Sequence, residues 1–306
     1  DLMSTSGTSH YTAADDEDAL TFVQELVSYL PSNNRAEAPR MEAEPFEGSI
    51  ADNINETDLE LDTLIPDSPN QPYDMRDVIA AVVDDGHFLE MQELYAPSVL
   101  IGYARVEGHT IGIVANQPMQ FAGTLDIAAS EKAARFVRFC DAFNIPLVTF
   151  EDVPGFLPGT VQEYGGIIRH GAKMLYAYSE ATVPKITVVL RKAYGGSYLA
   201  MCNRDLGADA VYAWPSAEIA VMGADGAANV IFRRQIKDSE DPAATRAAKI
   251  EEYRNAFNTP YVAAARGQVD DVIDPADTRR KITAALETYA TKRQSRPAKK
   301  HGVMPC

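Results

Sequence analysis

Apolar and polar residues alternate with two distinct periods from residue 73 onward. Short apolar runs rich in β-branched residues, such as 145–150 and 186–190, predict buried strands. Between such runs, apolar residues spaced three and four positions apart predict amphipathic helices, as over 130–144 and 164–182. Strands that alternate with helices of this length form βαβ units. The pattern therefore predicts an α/β fold with a largely parallel sheet.

Turn and cap residues predict where individual elements begin and end. Glu107-Gly108 lies between two alternating segments, so residues 99–116 predict a β-hairpin. Gly86 predicts the end of a helix, and Ser130 predicts the N-cap of another. Further helices are predicted over 164–182, 197–207, 241–267 and 274–292, and two short strands around Pro215.

The segment before residue 73 has a different character. Residues 12–31 predict a helix, because acidic residues fill its first turn and an apolar stripe follows. Residues 32–72 are polar, acidic and interrupted by prolines, which predicts an extended linker. The chain does not begin with Met, and we interpret it as a fragment whose first helix ends a domain with its body elsewhere. The predicted stripe consists of Leu20, Val23, Val27 and Leu30.

Negative charge is concentrated in the same segment. The formal net charge is −16, and residues 1–70 hold 16 acids against only Arg35 and Arg40, a net of −14. This acidity argues against nucleic acid as a partner and is interpreted as a solubility feature. A contact between the basic stretch 291–302 and an acidic partner is the minority alternative.

Cysteine usage and hydropathy bear on the cellular setting. Cys140, Cys202 and Cys306 are scattered and odd in number, which fits a reducing, cytoplasmic setting better than a disulfide framework. No apolar run is long enough to span a membrane, so no membrane partner is expected.

Few side chains form a recognisable catalytic pattern. The sequence lacks a Gly-x-Ser-x-Gly elbow, a P-loop and a Gly-x-Gly-x-x-Gly turn after a strand. Cys202 has no base in evidence beside it and is expected to be a buried small residue. No metal is expected, because none of the histidines has the spacing of a ligand set. These histidines are His10, His87, His109, His170 and His301.

Backbone features are the remaining candidates, above all the stretch RKAYGGSYLAM. Gly195 and Gly196 stand where a predicted buried strand becomes a helix that starts near Ser197. Bare amides at such a helix start can hold an anion, as in an oxyanion hole. Small residues there can equally serve close packing of helix on sheet. The residues alone favour these two interpretations equally.

Two other glycine-containing turns follow strands. Residues 151–160 turn at Pro154-Gly155 and again at Pro158-Gly159, which predicts a shaped wall at the carboxyl end of a strand. Residues 220–232 carry glycines before a predicted helix. We interpret these glycines as allowing the helix to pack against the sheet, and the segment as also contributing to the wall.

These segments together resemble a known family, the biotin-dependent acyl-CoA carboxyltransferases, over nearly the whole chain. The resemblance implies a crotonase-like fold with two such domains in each subunit. Residues 1–66 would end the N-terminal, acyl-CoA-binding domain and include the linker, and 67–306 would form the C-terminal, biotin-binding domain. The motifs that carry it are EDVPGFLPG, EYGGIIRHGAKMLYAYSEATVP, RKAYGGSYLAM, LGADAVYAWPSAEIAVMGADGAANVIF and DDVIDPADTRRKI.

The resemblance also implies a mechanism without a side-chain base. Carboxybiotin would release CO₂ in a closed site, and the amides of Gly196 and Ser197 would stabilise the ureido anion that remains. That anion would take the α-proton of propionyl-CoA, and the enolate would attack CO₂. Dry walls would protect both species from water. Biotin and substrate contacts are expected at Pro154, Gly155, Phe156, Leu157, Tyr194, Gly195 and Leu199.

One position departs from the propionyl-CoA branch of the family, in which an Asp is common. Leu199 stands there in this chain. In the family this position helps to select the acyl chain, so the departure puts strict propionyl specificity in doubt.

The partners implied are acyl-CoA, a biotin carboxyl carrier protein or biotin carboxylase subunit that carries the biotin, and further copies of the chain in a hexamer. Three functions stay open: carboxylase or transcarboxylase, decarboxylase, and a truncated non-catalytic half that binds the biotin carrier or assists assembly. The fragment alone is expected to be inactive. An ordinary hydratase of the same fold is disfavoured, because it needs a pair of carboxylates over the thioester.

Overall fold

The computed structural model describes residues 2–42 and 56–305. Cys306 and the middle of the predicted linker, 43–55, lie outside the described residues. The N-terminal helices are α1 (Leu2–Ser6), α2 (Asp16–Tyr29), α3 (Glu56–Leu64) and α4 (Met75–Val82).

An α/β unit follows α4. Its first half comprises β1 (Leu89–Met91), β2 (Val99–Val106), β3 (His109–Asn116), α5 (Ile127–Ala142), β4 (Leu147–Val153), α6 (Thr160–Gly165) and α7 (Ile167–Glu180). The second half comprises β5 (Lys185–Tyr194), α8 (Gly195–Ala200), β6 (Ala210–Ala213), β7 (Glu218–Ala220), α9 (Ala224–Ile231), α10 (Arg233–Lys237), α11 (Pro242–Phe257), α12 (Pro260–Ala265), β8 (Asp271–Val272) and α13 (Thr278–Tyr289).

The described strands form one eight-stranded sheet in the order β1-β2-β3-β4-β5-β6-β8, with β7 paired to the far end of β5. β2 pairs antiparallel with both β1 and β3, whereas every other pair in the sheet, from β3–β4 onward, is parallel. The predicted hairpin is confirmed, and Glu107 and Gly108 both have positive φ at its turn, as a type I′ hairpin turn requires. The predicted α/β fold with a largely parallel sheet is also confirmed.

Two apolar layers cover the sheet. Residues of α5, α7 and α8 pack on one face, and residues of α4 and α13 pack on the other. Trp214 is buried in the second layer, and its indole Nε1 donates to Thr278 Oγ1 at 2.9 Å. No helix within the described ranges is long and apolar enough to cross a membrane.

Several predicted helices have different ends in the structure. Asp126, rather than Ser130, caps α5, because its carboxylate accepts from the Ala129 amide at 2.8 Å. Gly166, at φ +90°, separates α6 from α7 within the segment predicted as one helix. The helix predicted over 197–207 ends at Ala200. Thr259 caps α12 and so divides the segment predicted over 241–267.

Of the four residues in the predicted apolar stripe of α2, only Leu30 packs against the core of the described residues. Leu20, Val23 and Val27 are exposed. The opposite side of the helix packs on the core through Tyr29, whose ring stacks on Tyr103 at 5.8 Å between centroids. The helical period was correct, but both sides of α2 carry apolar residues and the period alone could not choose between them.

The predicted extended linker was wrong over 56–64, where α3 forms. Leu61 is only 1% exposed and packs in the α4–α13 layer. The Asp62 carboxylate accepts from the Ala276 amide at 3.2 Å, which ties α3 to the turn before α13. The acidic composition of this segment gave no sign of a helix, because Leu61 makes its apolar contacts with residues that are distant in sequence.

We expect Leu61→Ala to destabilise the protein by about 2–4 kcal/mol, because it leaves a cavity in this layer. The matched control is Leu59→Ala on the same helix, whose side chain is 55% exposed and should cost less than about 0.5 kcal/mol. Denaturant unfolding of both variants measures the difference. Equal, small effects would mean that α3 does not pack as described.

Candidate active site

The junction between β5 and α8 has no connecting loop, since β5 ends at Tyr194 and α8 begins at Gly195. Gly195 has φ +57°, a conformation that side chains disfavour. A Cβ at this position would also lie 3.0 Å from the carbonyl oxygen of Val221. The first glycine of the pair therefore serves the tight turn and close packing.

Gly196 meets neither restriction. It is exposed, its φ is not positive, and a Cβ there would lie 3.8 Å from the Phe156 ring, an ordinary contact distance. Amides in the first turn of a helix have no intrahelical acceptor, and Tyr194 provides no side-chain cap for α8. The second glycine leaves a backbone amide that a ligand can approach. Of the two interpretations that the sequence left equal, close packing applies to Gly195, whereas anion binding at Gly196 stays a prediction.

Ser197 turns its side chain away from this surface. The residue is fully buried, and its Oγ donates to the carbonyl oxygen of Tyr194 at 2.8 Å. The side chain therefore takes no part at this surface, and the predicted role of the Ser197 backbone amide stays a prediction.

The turn after β4 forms a wall beside Gly196. Two backbone hydrogen bonds attach it to Leu125: the Leu125 amide donates to Gly155 O at 3.1 Å, and the Leu157 amide donates to Leu125 O at 2.8 Å. The half-buried Phe156 ring lies against Gly171 of α7, where a Cβ would come within 2.8 Å of it. A Cβ on Gly155 would meet nothing within 4 Å, so this part of the turn is open. Pro154, the first residue of the turn, is half-buried.

Tyr194 is held from the opposite side. Its hydroxyl donates to the Glu218 carboxylate of β7, which lies 3.8 Å from Arg254 Nε. Burial, and then the Glu218 hydrogen bond, raise the pKa of Tyr194 well above its usual value. A Cβ on Gly223 would lie 3.0 Å from the Tyr194 ring. The segment 220–232 therefore packs against the junction, as predicted.

Leu199 lies three residues after Gly196, on the same face of α8. Its side chain is 41% exposed, whereas the intervening Ser197 and Tyr198 are buried. The structure thus brings the turn 154–157 beside the junction 194–199 through Phe156 and Gly196, while the roles predicted for these residues stay predictions.

Two carboxyl groups at the end of β4 were missed by the sequence reasoning. Asp152 is buried and pairs with Arg191 Nε at 3.0 Å, and it accepts from the Lys192 amide at 2.9 Å. Glu151 is fully buried, and its pKa is raised well above the usual value by burial and then by Asp152. An acidic pair inside the apolar run LVTFEDV was the signal that could have found them.

Within the described ranges, no group of three or more His, Cys, Asp or Glu side chains is placed to hold a metal ion. Cys202 is buried, as predicted, and burial raises the pKa of its thiol to about 12.

The two glycines should respond differently to a methyl group. Gly195→Ala should lower the free energy of unfolding by about 1–3 kcal/mol, because it adds a side chain at positive φ against a fixed carbonyl. Gly196→Ala should change it by less than about 0.5 kcal/mol. Denaturant unfolding of the two variants tests this. Equal destabilisation would show that both glycines serve packing alone.

Comparison with known proteins shows the family and the fold of the chain. The carboxyl transferase domain matches residues 1–304 of the chain. The methylmalonyl-CoA carboxyltransferase 12S subunit of Propionibacterium freudenreichii subsp. shermanii is 66% identical over 308 residues, which cover 99% of this chain and 56% of that protein. The propionyl-CoA carboxylase beta chain of Saccharopolyspora erythraea is 60% identical over 305 residues, covering 98% of this chain and 56% of that protein.

A solved structure of transcarboxylase 12S, with methylmalonyl-coenzyme A and methylmalonic acid bound, superposes with a TM-score of 0.93 at 66% identity. The match covers 100% of this chain and 57% of that one. The crotonase-like fold that the resemblance implied is confirmed. The chain therefore spans about half the length of the relatives it matches, and it belongs to the carboxyl transferase family.

Proposed function

We propose that this chain is the biotin-facing part of a biotin-dependent acyl-CoA carboxyltransferase that acts on propionyl-CoA and methylmalonyl-CoA. The observation that carries the proposal is the exposed Gly196 at the start of α8, where no packing contact calls for a glycine. Membership in the carboxyl transferase family supports it, as do the names of the two relatives.

From the sequence alone, residues 67–306 would form the biotin-binding domain, and 1–66 would be the end of the acyl-CoA-binding domain with its linker. The packing of Leu61 in the α4–α13 layer supports counting α3 with the second domain. The domain boundary would then lie ahead of Glu56.

The residues at the junction suit the head group of biotin, which when bound supplies the carboxylate to be transferred. The amides of Gly196 and Ser197 would donate to a developing anion, since they start a helix and have no intrahelical acceptor. Phe156 and Leu157 would form one wall and Tyr194 the other, with Pro154, Gly155 and Gly195 shaping the backbone between them. Apolar walls exclude water and strengthen such hydrogen bonds.

The surroundings of the junction offer the reaction little other help. Phe156, Leu157 and Leu199 have no titratable group. Tyr194 stays protonated near neutral pH, because burial and Glu218 raise its pKa, and its hydroxyl already donates a hydrogen bond to Glu218. This supports a mechanism in which the backbone stabilises charge and no side chain of the wall acts as a base.

The partners we propose are an acyl-CoA, a carrier protein or carboxylase subunit that bears the biotin, and further copies of the chain. Exposed apolar residues near the site support a subunit contact: Tyr164 is 90% exposed, and Val161 and Ile168 are also exposed on α6 and α7. The structure reported for transcarboxylase 12S is a hexamer, and we propose the same assembly and a cytoplasmic location here.

Carboxylation, transcarboxylation and decarboxylation would use the same junction and differ in the partner that loads or unloads biotin. A non-catalytic half would bind the carrier without needing open amides at Gly196. Activity of a Gly196 variant in the full-length protein separates these classes.

We expect Gly196→Ala in the full-length protein to lower kcat for carboxyl transfer to propionyl-CoA by about 10²–10³-fold, the usual effect of losing an oxyanion donor. The added methyl group would block approach to the amides while leaving the fold intact. The control is Gly226→Ala on α9, where a Cβ would meet nothing within 4 Å. Unchanged kcat in Gly196→Ala would defeat the site assignment.

We expect Leu199→Asp in the full-length protein to raise the ratio of propionyl-CoA to acetyl-CoA turnover. A shift of about tenfold is reasonable, because one methylene in a pocket supports discrimination of that order. Leu94→Asp is the control, since that leucine is exposed in the loop between β1 and β2. Competition assays with the two substrates measure the ratio, and an unchanged ratio counts against a role for Leu199.

A further inference from the structure

Glu151 is a buried carboxyl group that the proposed mechanism does not use. It lies on β4 between Thr149 and Val153, which face the layer formed by α7 and α8: Val153 packs in that layer, and Thr149 Oγ1 hydrogen-bonds to the Tyr178 hydroxyl at 2.9 Å. Alternation along the strand directs Glu151 to the same layer. Neither of its carboxyl oxygens has a hydrogen-bond partner among the described residues.

The groups that face Glu151 across this layer are acids that hold their protons. They are Tyr178 of α7, Tyr198 of α8 and Cys202 just after α8, and each interacts electrostatically with Glu151. Burial raises the pKa of all three, that of Cys202 to about 12. None of them offers a positive charge.

Two buried cations of β5, the strand next to β4, are engaged elsewhere. Lys185 Nζ donates to the carbonyl oxygens of Tyr178 at 2.8 Å and Ala181 at 3.0 Å. Arg191 pairs with Asp152, whose side chain points to the opposite face of the sheet. An ionised Glu151 would therefore be a buried charge without a counter-ion, which is strongly unfavourable.

Because Glu151 lies behind α8, its protonation state sets the charge behind the start of that helix. Tyr198 belongs to the helix whose first amides would stabilise the reacting anion. A second negative charge behind that helix, in a dry interior, would repel the anion and weaken its binding. A protonated acid has no such effect.

We propose that Glu151 is a positioning residue that keeps its proton at neutral pH and so leaves the back of α8 uncharged. This inference deepens the proposed function and rests on it for the role of α8. The protonation of Glu151 itself does not depend on that role.

Infrared difference spectroscopy of the full-length protein tests the protonation directly. Subtracting the spectrum of Glu151→Gln should reveal the carbonyl stretch of an unionised carboxylic acid at neutral pH. This band should persist while pH rises well above the range in which ordinary glutamates ionise, since burial favours the neutral form. No band at neutral pH, or a band lost near the ordinary pKa of glutamate, would overturn the proposal.

Glu131→Gln is the matched control. Its carboxylate accepts from Lys173 Nζ at 2.6 Å and lies 2.7 Å from His170 Nδ1, and these partners lower its pKa although partial burial opposes them. It should show only carboxylate bands at neutral pH.

Tyr198→Phe provides a second variant if Glu151→Gln does not fold. It removes a polar neighbour of Glu151, so the pH midpoint at which the acid band disappears should move to a higher value. A midpoint moved to lower pH would contradict the proposal.

Rate measurements across pH test the positioning role. Carboxyl transfer by the unchanged full-length protein should decline at alkaline pH as Glu151 ionises, and Glu151→Gln should lose this decline when each profile is scaled to its own maximum. Parallel profiles would overturn the role. The proposed function fails separately, through unchanged kcat in Gly196→Ala, so the two failures are distinguishable.

Discussion

The candidate site depends on one constraint, the direct passage from β5 to α8 at Gly195. Because no loop intervenes, the first amides of α8 are placed by the sheet itself, and the carbonyl of Val221 closes the other side of the turn. β5 is buried on both faces, as strands of a parallel sheet covered by helices are. The amides at Gly196 and Ser197 therefore need no side chain to fix their direction.

Much of this arrangement could be predicted from the sequence. Periodicity located the parallel strands and the hairpin, and the glycine pair marked the junction, because these signals are local. The side of α2 that packs inward, the helix at 56–64 and the cap of α5 could not be predicted, since each is decided by contacts with distant parts of the chain. Leu61 illustrates this: its neighbours in sequence are acidic, and its partners in the fold lie on other helices.

At the end of β4, alternation along the strand places two neighbouring carboxyl groups on opposite faces of the sheet, in different environments. Glu151 and Asp152 are adjacent, yet one faces an apolar layer with protonated neighbours and the other meets Arg191 and a backbone amide. Burial, and then the neighbouring Asp152, raise the pKa of Glu151 well above its usual value. Sequence reasoning missed both groups, because the faces of the strand become unequal only once helices cover the sheet.

The attachment of the wall to Leu125 affects how substitutions can change the site in evolution. Both hydrogen bonds use backbone atoms, so the wall keeps its place whatever side chains stand at Phe156 and Leu157. Substitutions there can alter the shape and polarity of the pocket without displacing its frame. A scaffold built in this way can acquire a new substrate through a few surface replacements, and a designer could exploit the same freedom.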